Sequence, residues 1–217
     1  AANAPELTAA QSEAVDRLVS GLDDPGGGEG VLLNGVTGSG KTEVYLALVE
    51  EVLRRGRTAI VLVPEIGLTP QAVGRFQARL GDRVAVLHSA LTAGQRFDEW
   101  QRLKAGDATV CVGPRSAVFA PLESLGLIVI DEEHDSSYKQ EGDPRYDARE
   151  VARRRARETG SLLVLGTATP RPESWSRLAR IELPDRVDGQ SMPPVELVDM
   201  READPRQGPI HRRTWEA

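Results

Sequence analysis

The chain has 217 residues, enough for one large domain or for one domain with part of another. Hydrophobic residues make up 40% and charged residues 28% of the sequence, which excludes a disordered chain and is typical of a globular protein with a sizeable core. The net charge of −6 excludes a surface field that attracts nucleic acid as a whole, so any DNA contact depends on local patches.

Apolar runs and cysteine content indicate the compartment. The longest apolar runs, such as residues 127–130, are far shorter than the roughly 18 residues of a bilayer-spanning helix, and the first residues carry no secretory signal pattern. The one cysteine, Cys111, lies in an apolar run and is interpreted as a buried strand thiol, because it can form neither a disulfide nor a cysteine cluster within the chain. We therefore expect no membrane insertion and a reducing, cytoplasmic location.

Short aliphatic runs alternate with amphipathic stretches along the chain. The runs are nearly continuous, as in strands covered on both faces, and predict strands at 30–33, 58–63, 84–87, 109–112, 127–130 and 162–165. Apolar residues at three-to-four spacing predict helices at 42–54, 70–80, 96–104 and 148–157. This alternation predicts an α/β fold with a mostly parallel sheet, helices on both faces and right-handed crossovers.

The composition changes near the end of the chain. Five of the 14 prolines fall in residues 184–217, and helical periodicity disappears there. We therefore predict one domain over residues 1–183, followed by a linker or the start of another domain. Irregular surface chain is the alternative interpretation of this segment.

A phosphate-binding pattern connects the first predicted strand to the helix that follows it. Residues 35–42 match G-x-x-x-x-G-K-[ST] in the strand-to-helix context of a P-loop. Glycines let backbone N–H groups and the positive end of the helix approach the phosphates. Lys41 is expected to reach the β and γ phosphates, and the Thr42 hydroxyl to bind Mg²⁺. The predicted nucleotide-binding residues in this loop are Gly35, Thr37, Gly38, Ser39, Gly40, Lys41 and Thr42.

Four polar residues, Asp-Glu-Glu-His, directly follow the predicted strand 127–130. Because parallel strands end at a common edge, these side chains are expected near the P-loop. Asp131 would hold Mg²⁺ through its water shell, and Glu132 would accept a proton from the attacking water. His134 is a further catalytic candidate, although an isolated histidine here is more often an ordinary surface or capping residue.

Additional motifs narrow the class of P-loop protein. The guanine motif of GTPases and the signature of ABC-type transporters are missing, and nothing resembles the lid of a small-molecule kinase. Residues 166–170, Gly-Thr-Ala-Thr-Pro, follow the next predicted strand and, with Asp-Glu-Glu-His, resemble motifs II and III of superfamily 2 helicases. This resemblance implies that Thr167 and Thr169 sense the hydrolysis site. It also implies a Q motif at residues 7–11, in which the Gln11 amide reads adenine.

Four longer segments narrow the resemblance: LVPEIGLTPQ at 62–71, LHS at 87–89, VGPRSAVFAP at 112–121 and DEEHDSSYKQ at 131–140. Over roughly residues 7–200 the sequence resembles the PriA (primosomal protein N′) family of replication-restart helicases. The resemblance implies a RecA-like P-loop NTPase domain, the ATP-binding first lobe of a DNA-dependent ATPase and 3′ to 5′ helicase that uses ATP and Mg²⁺. It implies DNA, a second RecA-like lobe, and primosomal and single-strand-binding proteins as partners. The zinc-binding cysteines of the family are not in this sequence.

The resemblance also assigns nucleic-acid contacts. Motif Ia falls on residues 64–69 and motif Ib on 115–116, where side chains and N–H groups can bind phosphates without reading sequence. Residues 138–146 resemble the aromatic-rich loop of the family, in which bases stack on rings beside cations. Simple packing is the alternative for each tyrosine. The nucleic-acid candidates are Thr69, Arg115, Ser116, Tyr138, Lys139, Arg145 and Tyr146.

Departures from the family pattern leave a second function open. Pro114 replaces a usual threonine, and Asp143-Pro144 and Asp147 thin the aromatic loop, so DNA coupling is expected to be weaker. The basic run at 153–157 is interpreted as a solvated helix face rather than a DNA track. The second lobe of the family supplies arginines to the transition state, so we expect this chain alone to bind ATP but hydrolyse it poorly. The alternative is an ATP-responsive fork-binding scaffold without productive helicase activity.

Overall fold

The computed structural model describes residues 5–23 and 29–189. The strands are β1 Val31–Gly35, β2 Thr58–Leu62, β3 Val84–Val86, β4 Val110–Gly113, β5 Leu125–Ile130, β6 Lys139–Gln140, β7 Tyr146–Asp147, β8 Leu162–Thr167 and β9 Ala179–Leu183. The α-helices are α1 Ala9–Gly21, α2 Lys41–Arg54, α3 Pro70–Leu80, α4 Ala93–Ala105, α5 Ala148–Thr159 and α6 Pro172–Arg177. None of the helices in these ranges is long and apolar enough to cross a membrane.

The six predicted strands and four predicted helices are present, with the strand ends shifted by one or two residues. Four features were not predicted from the sequence: α1, α6, β9 and the β6–β7 hairpin. Strand β9 lies at an edge and buries only two of its five side chains, so it lacks the continuous apolar run that marks the inner strands. Helix α1 begins with a capping box formed by Thr8 and Gln11. A glutamine that follows a helix cap is the common alternative to a nucleotide motif at Gln11.

Seven strands form one sheet in the order β3-β4-β2-β5-β8-β1-β9, and every neighbouring pair is parallel. Strand β8 lies between β1 and β5, so the loops that follow these three strands emerge side by side at the carboxyl edge of the sheet. The P-loop, the Asp-Glu-Glu-His segment and the Gly-Thr-Ala-Thr segment are those loops. The topology therefore places them at one site, where open α/β sheets commonly bind ligands.

Helices cover both faces of the sheet, as predicted. One core cluster joins α1, α2 and α3 to alternate strand residues such as Val61 and Val129. The other joins α4 and α5 to the intervening residues, such as Ile60 and Ile128. Because both faces are buried, the inner strands need apolar side chains at successive positions, which explains their continuous hydrophobic runs.

The described part of the chain beyond β9 returns to the P-loop. The Val187 N–H donates to the Gly38 carbonyl at 3.0 Å, and Arg186 pairs with Asp188. The predicted domain boundary at residue 183 coincides with the end of β9 and stays a prediction. Most of the predicted tail, residues 190–217, lies outside the described residues.

Candidate nucleotide site

The P-loop turns tightly between β1 and α2 because its glycines adopt conformations closed to other residues. Gly38 and Gly40 have φ values of +82° and +76°, in the region that favours glycine. A Cβ on Gly40 would lie 2.3 Å from Gln11 Nε2, and one on Gly35 would lie 2.5 Å from Ser39 Oγ. The backbone is therefore free to approach a ligand closely, as a phosphate-binding loop requires.

The polar groups of this loop fit an anionic ligand. The buried Lys41 side chain donates from Nζ to the Gly35 carbonyl at 2.9 Å and lies 4.0 Å from Glu132 Oε1. Ser39 Oγ is buried and has no hydrogen-bond partner among the described residues. A buried hydroxyl without a partner is costly, and a bound phosphate oxygen would satisfy it. The loop thus carries both the positive charge and an unused donor that a polyphosphate needs.

Gln11 holds the P-loop against helix α1. Its Oε1 accepts from the Thr8 N–H, and its Nε2 donates to the Ser39 carbonyl, each at 2.9 Å. The side chain is buried, so these two bonds fix the amide in one orientation. Adenine reading by Gln11 stays a prediction, whereas its contact with the loop was not anticipated from the sequence.

A cavity of about 580 Å³ brings the three predicted motifs together. It is lined by residues of the P-loop side, the Asp-Glu-Glu-His segment and the following threonine loop: Thr37, Thr42, Tyr45, Asp131, Glu132, His134 and Thr169. Hydroxyl and carboxylate oxygens are the ligands that Mg²⁺ prefers, so Thr42 and Asp131 form a donor set that fits this cation. Their contact with a metal stays a prediction.

Asp131 is held by a residue that the sequence analysis overlooked. The Tyr45 hydroxyl donates to Asp131 Oδ1 at 3.0 Å. Burial, and then the nearby Asp131 charge, raise the pKa of Tyr45 well above its usual value, so the hydroxyl stays protonated and acts as the donor. Burial and the neighbouring Glu132 raise the pKa of the Asp131 carboxyl. Tyr45 lies one helical turn after Lys41, and that spacing is the signal that could have identified it.

Glu132 lies on a backbone that turns sharply after β5. Its φ of +46° is uncommon for a residue with a side chain and is typical of functional turns. Its Oε1 lies 4.0 Å from Lys41 Nζ, and its Oε2 lies 3.6 Å from His134 Nδ1. This geometry directs the carboxylate toward the cavity between two potential cations.

The two segments that follow β5 and β8 are joined by hydrogen bonds. His134 Nδ1 and Thr167 Oγ1 are 2.8 Å apart, and the Thr169 N–H donates to Thr167 Oγ1 at 3.0 Å. Glu133, to which the sequence assigned no role, is buried and accepts from the Arg171 N–H at 2.9 Å and the Ser174 hydroxyl at 3.0 Å. A movement of either segment would therefore be transmitted to the other through these hydrogen bonds.

Several nucleic-acid candidates line a second cavity, of about 410 Å³. Arg115, Ser116 and Tyr146 meet there, and His88, Arg96 and Trp100, which were not predicted, also line it. Lys139 and Arg145 are exposed beside Tyr146 in an adjoining cavity. Thr69 is exposed and caps α3 by accepting from the Ala72 N–H at 3.2 Å. These positions are accessible to a ligand, and their contact with DNA stays a prediction.

Tyr138 does not belong to this surface. Its side chain is fully buried, and its hydroxyl donates to the carbonyls of Leu62 at 3.2 Å and Asp131 at 2.5 Å. A buried ring offers no face to a base, so the prediction that Tyr138 stacks on DNA is wrong and the packing alternative is confirmed.

In the basic run of α5, Arg154 and Arg157 are exposed and pair with acidic side chains, whereas Arg155 bonds to buried carbonyls.

Comparison with known sequences agrees with these motifs. The family model described as "DEAD/DEAH box helicase" matches residues 8–178. A "Replication restart protein PriA" of Bacillus subtilis is 55% identical over 176 residues, which cover 79% of this chain and 22% of the relative. A protein of the same name from Synechocystis is 50% identical, with 96% of this chain and 26% of the relative covered. The chain thus spans about a quarter of the length of these curated relatives.

Solved structures share the fold. RecG bound to a three-way DNA junction matches with a TM-score of 0.58 and 21% identity over 88% of this chain and 25% of that chain. A hypothetical ATP-dependent RNA helicase from Sulfolobus tokodaii matches with a TM-score of 0.60 and 17% identity over 82% of this chain and 53% of that chain. The predicted RecA-like domain and the resemblance to PriA are confirmed, and the chain belongs to the DEAD/DEAH box helicase family.

Proposed function

We propose that this chain is the ATP-binding first motor lobe of a DNA-dependent ATPase and 3′ to 5′ helicase that acts in replication restart. One observation carries the proposal: Thr42, Asp131 and Glu132 line one cavity, and the P-loop Lys41 lies 4.0 Å from Glu132. The names of the similar PriA proteins support the role in replication restart. A second RecA-like lobe, primosomal proteins and single-strand-binding proteins are the proposed partners, and the cytoplasm is the proposed location.

In this proposal the P-loop binds the polyphosphate of ATP. Its N–H groups and Ser39 hydroxyl donate to phosphate oxygens, and Lys41 exchanges its bond with the Gly35 carbonyl for the β and γ phosphates. Thr42 and Asp131 hold Mg²⁺, which, when bound, neutralises charge on the phosphates. Gln11 holds the loop in this conformation by donating a hydrogen bond to the Ser39 carbonyl.

Glu132 is the proposed general base. It orients the attacking water and accepts its proton, a task for which a carboxylate within reach of the cavity is suited. His134 and Thr167 link this position to the segment after β8, so that the segment responds to the state of the site. Thr169 takes part through its N–H bond to Thr167.

We also propose that the 217-residue chain hydrolyses ATP slowly by itself. The described residues that line the cavity include no arginine, and an arginine that neutralises the transition state contributes on the order of 10³ to 10⁵ in rate. Arg115, Ser116 and Tyr146 bind single-stranded DNA beside this site, together with Thr69, Lys139 and Arg145. Tyr138 is left out because its ring is buried.

The scaffold alternative is favoured by one observation: burial of Tyr138 removes a ring from an aromatic loop that is already thinned. ATP turnover by the full-length protein, with and without single-stranded DNA, separates the two functions. The enzyme proposal predicts DNA-stimulated turnover that Glu132→Gln abolishes while ATP binding persists. A wild-type protein that binds DNA but never hydrolyses ATP would support the scaffold, and brisk turnover by the 217-residue chain would contradict the proposed slow hydrolysis.

A further inference from the structure

Tyr45 reaches the nucleotide cavity from the helix that begins with the P-loop lysine. Its ring is fully buried in the core between α2 and the sheet, yet the residue also lines the cavity with Thr42 and Asp131. A tyrosine at the end of the cavity is a polar group in an apolar setting, and its hydroxyl needs a partner. That partner is Asp131 Oδ1, at 3.0 Å.

The strand that carries Thr167 leaves room for this hydroxyl at one position. A Cβ on Gly166 would lie 1.6 Å from Tyr45 Oη and 2.8 Å from the ring carbon that bears it. Any other residue at this position would displace the hydroxyl. Gly166 therefore leaves the space in which Tyr45 reaches Asp131.

The hydroxyl consequently touches three segments of the site. Tyr45 belongs to the helix that begins at Lys41, Asp131 directly follows β5, and Gly166 directly precedes Thr167 on β8. A hydrogen bond to a carboxylate is among the stronger ones and restricts the rotation of that group. Tyr45 thus fixes the acid that follows β5 relative to the helix that carries the phosphate-binding lysine.

We propose that Tyr45 is a positioning residue of the ATP site, which holds the Asp131 carboxylate in the orientation that the hydrated Mg²⁺ requires. The proposal rests on the proposed ATP-binding function and adds a residue that lies outside the P-loop and the Asp-Glu-Glu-His segment. The proposal predicts that the Tyr45 hydroxyl affects nucleotide binding in the presence of Mg²⁺ but not in its absence. Without the hydroxyl the P-loop still binds phosphates, but the cation loses its oriented acid.

The test measures the affinity for a fluorescent, non-hydrolysable ATP analogue with Mg²⁺ and with EDTA. In Tyr45→Phe the affinity in EDTA should equal that of the wild type, whereas the gain in affinity on adding Mg²⁺ should fall on the order of tenfold. Gly166→Ala should lose the same gain, because its methyl group displaces the hydroxyl. The double variant should lose no more than either single variant, since all three break one contact.

Ser161→Ala is the matched control. It removes another buried hydroxyl, which donates to the Leu125 carbonyl at 2.9 Å at the opposite end of β8, and should keep the full Mg²⁺ gain. Thermal unfolding confirms that each variant is folded. If Tyr45→Phe lowers affinity equally with Mg²⁺ and with EDTA, or if it keeps the full gain, the proposal is overturned.

Failure of this inference is distinguishable from failure of the proposed function. If the wild type binds no analogue in either condition, the proposed ATP-binding function fails together with this inference. If the wild type shows a Mg²⁺ gain that Tyr45→Phe retains, only the inference fails. If both Tyr45→Phe and Gly166→Ala fail to fold, the hydroxyl has a structural role and the positioning proposal is likewise overturned.

Discussion

Adjacent acids at the end of β5 have opposite environments. Glu132 faces the cavity, whereas Glu133 is buried and bonded to the Arg171 N–H and the Ser174 hydroxyl. The sequence predicted that a carboxylate would lie near the P-loop, and the structure agrees for Glu132. It could not reveal the role of Glu133, because that role depends on a segment that is distant in sequence and folds back after β8.

Removing the Glu133 carboxylate should therefore destabilise the domain. Glu133→Ala leaves buried donors without partners, so we expect the free energy of unfolding to fall by about 3 kcal/mol, measured by urea denaturation. Glu158→Ala, which breaks an exposed pair with Arg154, should leave stability nearly unchanged. Equal losses of unfolding free energy in the two variants would show that the buried hydrogen bonds of Glu133 contribute no more to stability than an exposed ion pair.

At the scale of elements, the sequence predicts best where one physical signal dominates. The inner strands are continuous apolar runs, and helix α3 begins and ends where its spacing indicates. Edge strand β9 and the short helix α6 lack such signals. The aromatic loop shows the limit most clearly: Tyr138 and Tyr146 follow the same motif, but the turn at Ser136–Tyr138 directs only the first into the core.

The P-loop offers a prediction with a close structural control. Gly40→Ala places a methyl group 2.3 Å from Gln11 Nε2, so the P-loop and the Gln11 side chain that holds it must move apart. This change should weaken nucleotide binding by at least about tenfold. Gly56→Ala has a similar φ of +71° but meets no atom within 4 Å. It should cost only about 1 kcal/mol of stability and leave nucleotide affinity intact. Comparable affinities in the two variants, measured by fluorescence titration, would argue against a role of the Gln11 contact in holding the P-loop.

At the scale of the whole molecule, the buried core shields the one cysteine. Cys111 lies in β4 between two neighbouring strands, and burial raises its pKa to about 12. The native protein should therefore not react with a thiol reagent at pH 7 or at pH 9, where an exposed thiol reacts rapidly. Labelling should begin only as urea unfolds the chain, in step with circular dichroism. Rapid labelling of the native protein would mean that β4 is open.

The overall charge limits the proposed binding of DNA by this chain. With a net charge of −6, few phosphates can be neutralised, and binding must rely on the local cations near Arg115 and Tyr146. Affinity for single-stranded DNA should be weak and fall with added salt, as fluorescence anisotropy would measure. Arg115→Ala should weaken it further. A tight complex that is indifferent to salt would refute this interface.

The proposed function depends on one site at which the P-loop and the acids after β5 act together on a nucleotide. Titration of the chain with a fluorescent adenosine triphosphate analogue, with and without Mg²⁺, tests this site most directly. We predict saturable binding that Mg²⁺ strengthens and that Lys41→Ala weakens by more than about tenfold, because the buried ammonium group no longer meets the phosphates. No binding, or equal binding by Lys41→Ala, would contradict the proposed function.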